Sequence, residues 1–195
     1  MAERNYVGEN SIDLAINDLS LMVGSVGFYV TPSGHNIPLR NTIDVFVAIV
    51  EIVINHDDPD VVPREPRFSC KPGMNPTITF RRFFFERIMQ FMRPSVNEMI
   101  HALHILRKIL VITDGGVLMT HRSVDRLVSV AVLLAIKFNR ENTHVYSNLY
   151  YADSIGLSLV ELNMLEFLFL TQINFSMFIS NAEYTATKIS LLKLL

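Results

Sequence analysis

Leu127-Val128-Ser129-Val130-Ala131-Val132-Leu133-Leu134-Ala135-Ile136-Lys137-Phe138 is the stretch whose reading decides the fold. Wound as a helix, it is apolar on every side apart from Ser129 until it meets Lys137. A surface helix shows one apolar stripe, whereas a helix that is apolar all round has to be enclosed by others. The stretch therefore predicts the central helix of an all-α bundle, with Thr120 as its cap.

A second apolar stretch carries a charge of opposite sign: Leu162-Asn163-Met164-Leu165-Glu166-Phe167-Leu168-Phe169-Leu170. Burying a charge alone costs several kcal/mol, so a charge in such surroundings has a designated partner. Lys137 and Glu166 sit at matching places in segments that read as packed neighbours. Such a pair either closes on itself or faces another protein.

Around these two stretches the chain is dense with helix signals. Ser95-Val96-Asn97-Glu98 and Ser158-Leu159-Val160-Glu161 are capping boxes, in which hydroxyl and carboxylate satisfy the free N–H groups of a helix start. After Ser95, apolar residues at Val96, Met99, Ile100, Leu103, Leu106 and Leu110 keep a helical rhythm that stops before Asp114-Gly115-Gly116. A helix over Ile78 to Met92 precedes it, and a shorter one around Val145 to Ile155 ends at Gly156. That makes five consecutive helices in about 100 residues around a central third. Upstream, Ile43 to Asn55 is rich in β-branched residues, and strand propensity would claim it. The acids argue for a helix. Asp44 and Glu51 are seven apart, so a helix places them on one stripe with Ala48 and Asn55, whereas a strand would charge both faces. The organisation predicted is a helical extension and linker over 1–75, the five-helix unit over 76–178, and a C-terminal helix over 179–195.

Half of the 195 residues are hydrophobic and 18% are charged, with a mean hydropathy of +0.30. Those figures imply a large core and an apolar surface. The longest greasy run, Ile43 to Ile54, contains Asp44 and Glu51 and is shorter than the roughly 20 apolar residues a bilayer requires. The N-terminus lacks the basic-then-apolar order of a signal peptide. With Cys70 as the only cysteine, no internal disulfide forms. A soluble, intracellular protein is expected, with its apolar excess serving a protein-binding face rather than a membrane. The net charge of −2 offers no basic face for nucleic acid.

The ordered set of motifs resembles the cyclin box, and in detail the P-type (phosphate-pathway) cyclins. Thr120-His121-Arg122-Ser123-Val124-Asp125-Arg126-Leu127, running on to Lys137-Phe138, is similar to their third helix. Tyr150-Tyr151-Ala152, Gly156-Leu157-Ser158, Glu161-Leu162-Asn163-x-Leu165-Glu166 and Ile173-Asn174-Phe175 are similar to their fourth and fifth. Ala48 to Val53 with Asn55-His56-Asp57 resembles the extra helix before the box. Phe68-Ser69 and Pro76-x-Ile78 resemble its linker. The resemblance covers roughly residues 42 to 178. It implies a regulatory subunit that activates a cyclin-dependent serine/threonine kinase, without catalysis or a cofactor of its own. It places Lys137 and Glu166 on the kinase-gripping face, with Leu134, Phe138, Leu170 and Phe175 as apolar neighbours packing on the kinase C-helix. The Met-Arg-x-x-Leu substrate-docking pattern of cell-cycle cyclins has no counterpart near Ile78 to Phe85. Some twenty residues follow Phe175, too few for a second cyclin fold.

Other constellations point elsewhere. His101-x-x-His104 has metal-ligand spacing, with Glu98 one turn away, but lacks a second ligand cluster. Asp57-Asp58-Pro59-Asp60 lacks the Gly and distal Glu of a calcium loop. Arg81, Arg82 and Arg87 read as a polar helix face, or as a patch for an acidic partner. Cys70 has no His–Asp context for nucleophilic catalysis. A cyclin-fold scaffold that activates no kinase is the alternative function, and a helical metalloenzyme on the two histidines is a third.

Overall fold

A computed structural model of the chain describes residues 11–26, 28–31, 34–56, 66–69, 79–113, 117–140 and 146–195. The acidic turn at 57–60, Cys70, Pro76, Ile78, the Asp114-Gly115-Gly116 stop and Val145 lie outside the described residues. In chain order the elements are α1 (Ser11–Val26), the hairpin strands β1 (Tyr29–Val30) and β2 (Asn36–Ile37), and α2 (Thr42–His56). Then come a 3₁₀ turn (Pro66–Phe68), α3 (Phe80–Phe83) running into a π-helix (Phe84–Met92), α4 (Val96–Ile112) and α5 (Val124–Asn139). α6 (Asn148–Ile155), α7 (Leu159–Gln172) and α8 (Asn181–Leu192) complete the chain. The fold is all-α apart from the antiparallel hairpin pairing Tyr29 with Ile37.

α5 is the enclosed helix. Every residue from Leu127 to Ile136 is buried, with α4, α7, α3 and the π-helix packed around it. Ser129, the one polar break in its apolar run, is buried with no partner for its hydroxyl. The helix starts later than Thr120. Ser123 Oγ donates to Leu118 O at 2.6 Å and accepts from Thr120 N–H at 2.9 Å. The hydroxyls therefore lock the preceding turn, and Val124 is the first helical residue.

The first helix of the five also departs from expectation. It begins at Phe80, capped by Thr79, and from Phe84 widens to i→i+5 pairing. Arg93, at φ 47°, closes it with its N–H on Ile88 O at 3.2 Å. The buried residues Phe80, Phe84, Ile88 and Met92 recur every fourth position, a spacing that serves either winding. Pattern alone therefore does not reveal the wider one.

α2 is a helix as its acids required, capped by Asn41, whose Oδ1 accepts the N–H groups of Ile43 and Asp44. Its stripe is mixed: Ala48 and Glu51 are buried, Asp44 is half-buried and Asn55 is exposed. Glu51 is 8% exposed and takes a bidentate contact from Arg81 at 2.6 and 3.1 Å. The Tyr29 hydroxyl also bonds Glu51, and burial beside that carboxylate pushes the phenol far above its ordinary range. Arg81 is thus not part of a solvated face; it ties hairpin, α2 and α3 together. Arg82 does lie on the surface, paired with Glu86 at 2.8 Å.

Both capping boxes fall at helix starts, with different completeness. At Ser95–Glu98 both arms form, and Arg140 adds contacts of 2.5 and 2.8 Å to the same buried carboxylate. Ser158 accepts from Glu161 N–H at 3.2 Å, but the Glu161 carboxylate turns to Arg126. The Arg126 guanidinium also donates to Ser69 O. Phe68, next to it, packs edge-on against Phe169 at 5.9 Å. The linker is therefore pinned to α5 and α7 together. α6 meets α7 at 101°, and Gly156 at φ 75° makes that corner.

Asp125, in the first turn of α5, is pushed up to about 6 by burial, with Arg126 only partly offsetting it. Folding then favours the neutral acid. The native state holds more protons than the unfolded one between about pH 4 and 6, so this residue makes stability fall as pH rises through that window. Asp125→Asn is expected to stabilise the chain by about 1–2 kcal/mol at pH 7.5, with little effect at pH 4, as read from urea melts at the two pH values. A variant equally or less stable at pH 7.5 would refute it.

Candidate functional site

The C-terminal end of α5, the length of α7 and the turn after α7 form one face. At its centre Lys137 Nζ meets Glu166 Oε1 at 2.5 Å. The other carboxylate oxygen, Oε2, accepts from Asn148 Nδ2 at 2.9 Å, and the same amide donates to Asn163 Oδ1 at 2.7 Å. Of the two arrangements the sequence left open, the pair closes on itself. It also remains partly accessible, and Asn148 braces it from α6. A half-buried ion pair held by three helices is a rigid feature rather than two wandering side chains.

An exposed aromatic ring follows each charge in the chain, Phe138 after Lys137 and Phe167 after Glu166. Phe138 is 52% exposed, Phe175 61% and Phe167 66%. Phe167 and Phe175 meet edge to face at 6.5 Å. Val160 and Met164 continue the Phe167 stripe along α7, and Phe178 adds a further exposed ring beyond the turn. Contiguous exposed apolar rings of this kind mark a binding surface. Aromatic side chains are also the usual energetic anchors of such surfaces.

Two of the six residues singled out from sequence do not present themselves. Leu134 is 4% exposed and belongs to the core; it supports the face from beneath. Leu170 is half-buried and packs on the core. Both lie on helix sides turned inward by the crossing of α5 and α7. Met164, Phe167 and Phe178 are exposed as well. The signal for the first two is the 160–164–167 spacing. On α7 that spacing coexists with buried Leu162, Leu165 and Phe169, so both sides of the helix are apolar and pattern does not separate them.

The turn beyond α7 is strained. Asn174 and Phe175 are consecutive non-glycine residues at φ 51° and 55°. Asn tolerates the left-handed region; a bulky Phe there costs about 1–2 kcal/mol, which its surroundings have to offset. Phe175 N–H reaches Leu170 O at 2.7 Å, closing the end of the helix.

His101 and His104 are both held within the fold. His101 uses both ring nitrogens, Nε2 with Met177 O at 2.8 Å and Nδ1 with Asn139 Nδ2 at 2.7 Å. His104 Nδ1 is buried without a partner. Burial pulls the affinity of both imidazoles for protons below the ordinary histidine range. Among the described residues no three His, Cys, Asp or Glu side chains stand close enough to hold a metal ion. No single helix among them is long and apolar enough to cross a membrane.

The family model described as Cyclin matches residues 35–177 of the chain, a span that takes in α2 and the five helices up to the strained turn. No curated protein sequence matches it.

Proposed function

This chain belongs to the cyclin family, and from that premise we propose that it is the regulatory subunit of a cyclin-dependent serine/threonine protein kinase. It docks through the α5–α7 face onto the kinase C-helix. The observation that carries the reading is the closed Lys137–Glu166 pair together with the exposed rings Phe138 and Phe167, next to it in the chain, and Phe175, packed on Phe167. A kinase becomes active when its C-helix is placed so that the catalytic Lys–Glu pair forms and the activation loop orders. A rigid apolar surface with a fixed charge pair at its centre can hold a helix in that position. Converting a kinase from mostly inactive to mostly active takes about 5.5 kcal/mol of differential affinity. Three aromatic anchors at about 2 kcal/mol each are of that size.

The finer assignment is to the P-type cyclins, supported by Thr120 to Leu127, Tyr150-Tyr151-Ala152, Glu161 to Glu166 and Ile173-Asn174-Phe175, and by α2 ahead of the five helices. An intracellular setting, cytoplasm or nucleus, follows from a kinase partner that uses ATP, and substrates of that kinase are further partners. Roles in the cell cycle or in phosphate signalling are both open to this subfamily.

The reading is tested by affinity capture from a native lysate, with the chain and a Lys137→Ala/Glu166→Ala version as baits. Protein-kinase activity is expected with the first and strongly reduced with the second. Equal activity with both baits would keep the kinase and move its contact off this pair. A folded wild-type bait that recovers no kinase would leave a cyclin-fold scaffold.

A further inference from the structure

We propose that Lys108 and His101, on one stripe of α4, are positioning residues that hold the strained turn after α7 and thereby aim Phe175 at the partner. The inference rests on the docking role of the α5–α7 face.

Phe138, Phe175 and Phe178 are all more than half exposed, so packing constrains these rings only lightly. The direction of Phe175 is set by its backbone, and that backbone occupies the left-handed region at two successive non-glycine residues. Such a conformation persists only where the surroundings over-determine it. Within the turn, Ser176 N–H reaches Ile173 O and Met177 N–H reaches Phe175 O, each at 3.0 Å. From outside, α4 supplies two further contacts. Lys108 Nζ donates to Ser176 O at 2.9 Å and to Ser176 Oγ at 3.1 Å. His101, seven residues earlier and so on the same stripe, bonds Met177 O.

The tautomer of His101 follows from its neighbours. Asn139 Nδ2 sits 2.7 Å from both His101 Nδ1 and Ala135 O. A carbonyl only accepts, so the amide nitrogen faces it, and the second N–H of the same nitrogen donates to Nδ1. Nε2 therefore carries the proton and donates to Met177 O. Phe138 lies edge-on to this imidazole at 5.1 Å. One buried ring thus touches Phe138 at the end of α5 and, through Met177 O, the backbone of the turn after α7. That arrangement couples two anchors belonging to different helices.

Lys108 is the residue to vary, because it is partly exposed and its replacement leaves the core intact. In the free chain, Lys108→Met is expected to speed amide hydrogen exchange at Ser176 and Met177 at least tenfold, leaving α5 amides unchanged. Against a kinase recovered with the wild-type chain, Lys108→Met is expected to weaken binding about tenfold, and Lys108→Arg to restore it. In a Phe175→Ala background Lys108→Met is expected to have no further effect, because the ring it aims is gone. Unchanged exchange, or the same tenfold loss in the Phe175→Ala background, would overturn the proposal. A wild-type chain that recovers no kinase would remove the docking role itself, while the exchange result still decides whether α4 clamps the turn.

Discussion

Phe175→Ala is expected to weaken binding to the partner kinase about 30-fold or more while leaving the fold of the free chain almost unchanged. The two halves of that statement have the same origin. The ring is 61% exposed and, among the described residues, its one aromatic contact is with Phe167 at the surface. Truncation therefore removes little buried area from the monomer, whereas in a complex the same ring is desolvated against the partner. Loss of an aromatic anchor at an interface costs about 2 kcal/mol or more, which is the stated fold-change. Leu134→Ala is the matched contrast. It leaves a cavity under the face, at about 2–5 kcal/mol of folding stability. Titration calorimetry with the kinase and thermal melts of the free chain separate the two variants. Phe175→Ala binding like the wild type would remove this ring from the interface.

The second large effect concerns stability. Arg81→Met is expected to destabilise the chain by about 3–5 kcal/mol, because it strips a buried carboxylate of its charged partner. Glu51 is 8% exposed, and Arg81 supplies both of the charged contacts seen on it. The remaining Tyr29 hydroxyl does not neutralise a charge. A loss of that size is a large share of the roughly 5–15 kcal/mol that holds a domain folded. Adding Glu51→Gln to Arg81→Met is expected to recover most of the loss, since a neutral amide costs less to bury than a lone charge. Urea denaturation of the single and double variants reads both effects. A single variant within about 1 kcal/mol of wild type would show that the pair contributes little.

Particular residues show how much was legible in the sequence. Ser95 and Glu98 announce the start of α4 because the signal is local: a hydroxyl and a carboxylate three residues apart satisfy the same turn. The choice of helix for Thr42–His56 was also local, since the spacing of Asp44 and Glu51 suits only one periodicity. Thr120 misled because two hydroxyls, Thr120 and Ser123, compete for one helix start, and a contact with Leu118 O decides between them. The π winding of Phe84–Met92 left no mark in a four-residue apolar repeat that serves both windings.

The candidate site was legible in part for the same reason. Lys137 and Glu166 stand out because a charge in an apolar helix is costly wherever it lies, so composition alone singles them out. Phe138 and Phe175 are exposed, whereas Leu134 is buried and Leu170 half-buried. The chain's own order of residues thus determined an all-α bundle around Leu127–Ile136 and two charges that require partners, because periodicity and desolvation act along a single segment. Tertiary structure alone decided that Glu166 closes on Lys137 and Asn148, that Phe167 rather than Leu134 reaches solvent, and that α4 holds the turn carrying Phe175. An apolar helix does not encode which of its sides a neighbour will cover; the crossing of α5, α6 and α7 does.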